Sequence, residues 1–282
     1  MTASPSSSAQ GAREALAVRL QRLRKDVGLT GKELSARCGW HPAKTTRIQK
    51  GDAPPSDTDI RTWCSACGAD DQADDLIATA RAVDSMYLEW RRLHRTGMRK
   101  VQEDFYALYE RTRVCRAYLS NVPPGFLQTP AFATALMEQI TNFQGTPNDV
   151  SEAVAARVAR SRFLYEGGRL FVVLIEESVL RFRTADPDAM RGQLRRLLAV
   201  MPLASVSLGI IPFTAQRTVW PLEAFYLHDD FQAVVETLTA EINVTQPREL
   251  ADYAKAFTGL AEMAVYGDEA RALIQAAIDA LE

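Results

Sequence analysis

Histidine is scarce in this chain: His41, His94 and His228 are spread over 282 positions. No HExxH, GxSxG or glycine-rich phosphate loop occurs, and Gly167-Gly168 reads as an isolated tight turn. Glu176 and Glu177 sit next to each other at what reads as a strand end, so they point to opposite faces and make a poor acid-base dyad. We therefore expect neither catalysis nor a cofactor. Cysteine is also sparse, and four residues in a chain this long do not form a disulfide framework. Cys64 and Cys67 lack the second ligand pair that a structural zinc requires. With Ile60 they fall at i, i+4, i+7 on one helix face, which predicts buried core thiols. No stretch approaches the roughly 20 consecutive apolar residues of a spanning helix. The start, MTASPSSSAQGA, has neither the basic region nor the apolar run of a secretory signal. A cytoplasmic protein without a membrane partner is expected, opening on a disordered tail over residues 1–12.

Charge is distributed unevenly despite a net −2. Residues 13–50 carry ten basic side chains against three acidic ones, and residues 52–84 carry two against eight. A basic block followed by an acidic one suggests a small domain with one face for phosphates.

Local patterns within that block are more specific. Leu16, Leu20, Leu23 and Val27 form an amphipathic stripe, and Gly28 ends it. Thr30 followed by Glu33 is a capping box opening a helix Gly31–Cys38, with Leu34 and Cys38 inward and Ser35 small where two helices cross. Gly39 breaks the chain, Trp40 is placed to plug the turn, and His41 precedes Pro42 at a first helical position. A basic helix Pro42–Lys50 follows, with Thr45 and Ile48 inward, and Gly51 stops it. Further helices are predicted over Asp57–Cys67 and Asp71–Val83.

Two short helices across a glycine turn, the second one basic, define helix-turn-helix geometry. The run RLRKDVGLTGKELSARCGWHPAKTTRIQKG resembles the Cro/C1-type (XRE) DNA-binding domain, with no gap across its Gly-Leu-Thr, Glu-Leu, Gly39 and Arg47-Ile48…Gly51 features. The resemblance implies a five-helix domain over residues 13–84 that docks on double-stranded DNA with its second motif helix in the major groove. Carried over by position, Pro42, Ala43, Lys44, Thr46 and Arg47 face DNA, joined by Lys32 and Lys50. Where the family often has a DNA-touching glutamine this chain has Gly31, and Lys32 is the substitute at hand. Thr45 stands where the family usually has a larger aliphatic.

Residues 85–103 read as a helical linker, with Arg91, Arg92, Arg95, Arg99 and Lys100 forming a second basic cluster. Residues 104–282 mix both periods. Strands are predicted at Leu170–Ile175, Val179–Phe182, Val206–Ile211, Phe225–Leu227 and Ala233–Leu238, while Val114–Leu119 fits helix or strand. Helices are predicted at Ala131–Thr141, Val150–Tyr165, Met190–Met201, Leu250–Tyr266 and Glu269–Leu281, and His228-Asp229-Asp230 reads as a polar turn between strands. The expected fold is α+β, with a mostly antiparallel sheet.

NVPPGFLQTPAFATALM, RVARSRFL, LIEESVLRF, QLRRLL and SLGIIPF together resemble the C-terminal domain of unknown function found in WhiJ-like bacterial regulators. That resemblance implies a domain modulating a regulator through a ligand or a small partner protein encoded nearby. It also implies an alternative role as the antitoxin-like member of a two-protein module that neutralises its partner and regulates its own operon. With the small footprint of one DNA-binding module, it favours a homodimer. The corner Pro123–Phe132 combines rigid backbone with apolar side chains. It is either a packed strand-to-helix corner or a docking surface made by Pro124, Gly125, Phe126, Leu127, Gln128 and Phe132. Arg157, Arg160 and Arg162 either line a pocket or form a solvated helix face, the second being the simpler expectation.

Overall fold

Leu16 and Leu20 are buried, Leu23 is partly buried and Val27 is exposed, so the first apolar stripe seats its helix and runs out one turn before the end. The computed structural model describes residues 7–84 and 87–281. It divides into two units, Met1–Leu88 and Glu89–Glu282, each with its own core.

The first unit contains α1 (Ser7–Asp26), α2 (Gly31–Cys38), α3 (Pro42–Gln49), α4 (Asp57–Ala66) and α5 (Ala73–Asp84). The first helix begins at Ser7, inside the expected tail, and residues 1–6 of that tail lie outside the described residues. Leu16, Leu20, Leu34, Ile48, Ile60, Trp63 and Leu76 make one core with Cys64 and Cys67. The Trp63 indole donates to the Leu20 carbonyl at 3.0 Å, so its one polar atom is satisfied inside that core. Burial pushes the Cys64 thiol up to about 11 and raises Cys67 as well, which keeps both as unreactive packing groups.

The second unit begins at Glu89, so most of the expected linker belongs to it. After α6 (Trp90–Leu93), α7 (Arg99–Arg111) buries Val101 and Tyr109. Arg99 and Lys100 are tied to Glu103 and Asp104 one turn on, which neutralises that part of the second basic cluster. There follow β1 (Val114–Leu119), α8 (Pro130–Gln144), α9 (Val150–Ala159), β2 (Leu170–Glu176), α10 (Glu177–Arg181), α11 (Pro187–Val200) and β3 (Val206–Ile211). The chain closes with β4 (Phe225–His228), β5 (Gln232–Glu236), β6 (Ala240–Val244), α12 (Pro247–Glu262) and α13 (Gly267–Asp279).

These strands hydrogen-bond in the order β6-β5-β4-β1-β2-β3. β1 with β2 and β2 with β3 are parallel, whereas β1–β4, β4–β5 and β5–β6 are antiparallel. The sheet is thus mixed, with three antiparallel pairings among these strands and two parallel ones that were not expected. Its parallel half follows from the helical crossovers, α8–α9 and α11, which lie between strands that are apolar on both faces. Two local expectations change as well. Val179–Arg181 is helical and Phe182 is its extended C-cap, with the neighbours Val179 and Leu180 both buried and an Arg181–Glu177 pair at 2.9 Å spanning one turn. β6 was not expected, and the chain enters it through a tight turn closed by Thr237, whose hydroxyl donates to the Ala240 carbonyl at 2.8 Å. The predicted turn at His228–Asp230 is present: Asp229 adopts φ 49, and its carboxylate accepts from the Val114 N–H at 2.7 Å.

Glu176 and Glu177 are both buried but serve separate partners, Tyr118 and Arg217 for the first, Arg181 and the Phe213 N–H for the second. Among the described residues no helix is long and apolar enough to cross a membrane.

Candidate nucleic-acid interface

The turn between α2 and α3 is built from short-range chemistry. Thr30 Oγ1 accepts from the Glu33 N–H at 3.2 Å, and Glu33 Oε2 accepts from the Thr30 N–H at 2.7 Å, closing the predicted capping box. These hydrogen bonds to Thr30 hold the Glu33 carboxyl below its ordinary pKa. Gly39 ends α2 in the left-handed region at φ 67, a conformation that costs a side-chain-bearing residue more. His41 caps α3 by accepting from the Ala43 N–H at 3.3 Å, with Pro42 at the first helical position.

The inward face of α3 is Thr45 and Ile48, 1% and 3% exposed. Ser35 Oγ lies 2.7 Å from Thr45 Oγ1 and 2.8 Å from the Gly31 carbonyl. The α2–α3 crossing therefore carries a buried hydroxyl chain where the resembled family has an aliphatic contact. An inward Thr45 and a Ser35 at the helix crossing are legible in the sequence, but not the hydrogen bond that joins them.

Pro42, Ala43, Lys44, Thr46, Arg47 and Lys50 are exposed on and just beyond the opposite face of α3, and Lys32 is exposed at the start of α2. The residues expected at the interface are thus all exposed, but they are not equally free. Lys44 Nζ pairs with Asp59 Oδ1 at 2.6 Å and lies 4.6 Å from the centre of the Trp40 ring. Burial opposes ionisation of Asp59, but hydrogen bonds from Lys44 and Ser56 prevail and hold its carboxyl below the ordinary range. Thr46 Oγ1 donates to the Pro42 carbonyl at 3.1 Å, back within its own helix. Among the described residues, the side chains of Arg47, Lys50 and Lys32 have neither an ion pair nor a hydrogen bond.

The acidic block explains that contrast. Asp75 takes Arg19 at 2.7 Å, Asp74 takes Arg61 at 2.8 Å and Asp59 takes Lys44, so these acids offset cations within the first unit. Arg37 donates to the Ala66 carbonyl at 3.1 Å, and Arg24 donates to the Leu29 carbonyl. Among the described residues, the cations left without a partner are Arg47 and Lys50 at α3, Lys32 on α2, and Arg13 and Lys25 on α1.

The corner Pro123–Phe132 is not a surface. Phe126, Leu127, Gln128 and Phe132 are buried, and Pro124 is buried beside a half-buried Gly125. Phe126 packs its ring tilted against Phe171, centroids 4.9 Å apart, and edge-on to Tyr109 at 5.6 Å. Gln193 locks the backbone, donating to the Leu127 carbonyl at 3.0 Å and accepting from the Thr129 N–H at 2.8 Å. These aromatic and aliphatic side chains complete the core beneath the sheet and leave no exposed apolar anchor for a partner. The solvated-face expectation for the neighbouring arginines also fails in part: Arg162 is exposed, Arg157 is half-buried and Arg160 is only 4% exposed.

The first unit is thus a helix-turn-helix domain, and the family model described as a helix-turn-helix domain matches residues 15–76. The model described as a domain of unknown function (DUF5753) matches residues 102–276, more than half of the chain, and the protein belongs to that family. Among solved structures, that of TrmBL2, an archaeal chromatin protein described as showing a novel mode of DNA binding, is similar at 11% identity. The match covers 80% of this chain and 72% of that one with a TM-score of 0.32, too low to support an inference about this protein. No curated protein matches.

Proposed function

We propose that the protein is a sequence-specific DNA-binding transcriptional regulator. In this reading α3 lies in the major groove, and the second unit modulates activity through a ligand or partner, without catalysis. The observation that carries it is the outward face of α3, where Arg47 stands unpaired within a helix-turn-helix while nearby cations are engaged by acids and carbonyls. An arginine so placed can donate in bidentate fashion to guanine O6 and N7 or to phosphate. Lys50 and Lys32 supply phosphate contacts. Lys44 joins only by releasing Asp59, a modest cost for a pair with a half-exposed lysine. Because one module buries about 600–1,000 Å², operator-level affinity calls for two copies on an inverted repeat.

Fluorescence anisotropy with operator fragments selected from a random pool tests this reading. Affinity is expected to fall steeply with salt, as phosphate neutralisation requires. Arg47→Ala should cost roughly 1–3 kcal/mol and relax the preference at one base position. Lys44→Ala should cost less than Arg47→Ala. An absence of DNA affinity at low ionic strength, with the protein folded, would refute the proposal. Uniform weakening of all sequences by Arg47→Ala would reassign that residue to phosphate.

A further inference from the structure

Arg160 is a buried charge without an ion pair among the described residues; Glu236 acts on it only at longer range. Arg160 is 4% exposed, and its one hydrogen bond among the described residues runs from Nη2 to Gln102 Oε1 at 2.9 Å. Its Nε is buried without any partner. Arg157 donates Nε to the same Gln102 oxygen at 3.1 Å and Nη1 to Gln128 Oε1 at 2.9 Å, which leaves Nη2 over. Two guanidinium groups therefore share a neutral amide oxygen, and among the described residues neither forms an ion pair with a carboxylate. Burying like charges side by side without a counter-ion is unfavourable, and the aromatic rings of Phe105 and Tyr109, 5.2 Å and 5.6 Å from the Arg160 guanidinium, compensate only weakly.

Arg157, Gly125 and Tyr226 are half-buried around Arg160. Gly125 has no side chain where an added Cβ would stand 2.9 Å from Arg160 Nη2. Tyr226, on β4, is half-buried, and burial pushes its hydroxyl far up. It lies within electrostatic reach of both arginines and of Glu236, and forms no hydrogen bond through its hydroxyl among the described residues. Burial and the neighbouring Arg157 charge together pull the Arg160 guanidinium down to about 10, the direction that an arriving anion would reverse.

We propose that Arg157 and Arg160, with Tyr226 within electrostatic reach, form a binding site for a small molecule carrying a carboxylate or a phosphate group. An anion there accepts the unused guanidinium N–H groups through charge-assisted hydrogen bonds and supplies the missing counter-charge. Gln102 and Gln128 hold the two planar groups in place by accepting from their other edges. The site deepens the regulatory half of the proposed function by naming a ligand class, and it is tested without DNA so that either reading can fail alone.

The test is isothermal titration calorimetry of the full-length protein with inorganic phosphate and, separately, succinate, in chloride buffer of matched ionic strength. At least one anion should bind saturably, with Kd on the order of 1–10 mM for such a minimal probe. At ten times Kd it should raise the Tm of the second unit by about 3–6 °C. Binding of phosphate alone assigns a phosphoryl ligand, of succinate alone a carboxylate, and of both the shared chemistry. Arg157→Gln and Arg160→Gln should each weaken binding at least tenfold. If Arg160→Gln does not fold, the half-buried Arg157→Gln decides. The proposal is overturned if neither anion exceeds chloride, or if a folded Arg157→Gln protein binds as tightly as the wild type.

Discussion

The hydroxyl chain at the α2–α3 crossing makes a measurable prediction, because a hydroxyl carries only one proton. The Gly31 carbonyl can only accept, so Ser35 donates to it and Thr45 donates to Ser35, over 2.8 Å and 2.7 Å. Both side chains are 1% exposed, so neither has water as an alternative. Ser35→Ala strands the Thr45 proton, which costs about 1–3 kcal/mol, the lower end applying if Thr45 turns back to a carbonyl of its own helix. Thr45→Val keeps the shape and leaves Ser35 its donor bond, so about 1 kcal/mol is expected. The double variant has no unsatisfied group and replaces the pair with an apolar contact, so it should be less destabilised than Ser35→Ala alone. A coupling of about 1–2 kcal/mol follows, or roughly 4–16 °C in Tm for a unit of this size. Urea unfolding of residues 1–88 reads it, with Trp63 as the fluorescent reporter, because the core residues of that unit all come from within it. If the two single effects add to within about 0.5 kcal/mol, the hydroxyls are not coupled and the reasoning is wrong.

Two further outcomes are expected of the second unit. Phe126→Ala removes a buried ring packed on Phe171 and should cost about 3–5 kcal/mol, lowering Tm by about 6–20 °C in calorimetry; a small shift would mean that the corner is not core after all. Glu241 is raised to about 7, first by burial, against the Asn243 amide that donates to it, and then by the neighbouring Glu236 and Asp104 charges. A carboxyl whose folded pKa lies above its unfolded value stabilises fully below about 4.5 and loses that contribution as pH rises through about 7. Glu241→Gln should therefore flatten the stability profile between those values and exceed the wild type at pH 8 by on the order of 2–3 kcal/mol; parallel urea-unfolding profiles would dismiss the assignment.

Local chemistry makes the first unit legible in the sequence. A capping box needs Thr30 and Glu33 three apart, a left-handed C-cap favours Gly39, and Pro42 fits a first helical turn. Each is fixed within a few residues of chain, and the structure has each where its spacing puts it. The partition of cations is not local. Lys44 and Arg47 look equivalent on α3, and only Asp59, fifteen residues beyond Lys44, separates them by engaging one of the pair. Strand direction in the second unit is non-local in the same way. Leu170–Ile175 and Val206–Ile211 are readable as buried strands, but their parallel pairing depends on which neighbours the crossovers bring alongside. For β6, the pattern Glu241, Ile242, Asn243, Val244 alternates, yet the turn before it has no glycine, asparagine or proline to announce a hairpin.

Arg160 shows most sharply what spacing cannot reveal. In RVARSRFL, three arginines at intervals of three and two do not declare which of them enters the protein. The register is decided where α9 gives way to the 3-10 turn Arg160–Leu164, which rotates Phe163 and Leu164 into the core and carries Arg160 in with them while Arg162 stays outside. The destination is then prepared from distant segments: Gln102 on α7, Gln128 after the proline corner, and Tyr226 on β4. The corner is therefore important for a reason other than its apolar side chains. Its rigid backbone delivers Gln128 to Arg157 and leaves the space at Gly125 that Arg160 Nη2 requires. Burying a guanidinium with one hydrogen bond is a poor way to stabilise a core, since a well-packed apolar residue serves that purpose better. On the proposed reading an anion completes the arrangement, and the corner, which is the packed strand-to-helix alternative, also forms a wall of the site.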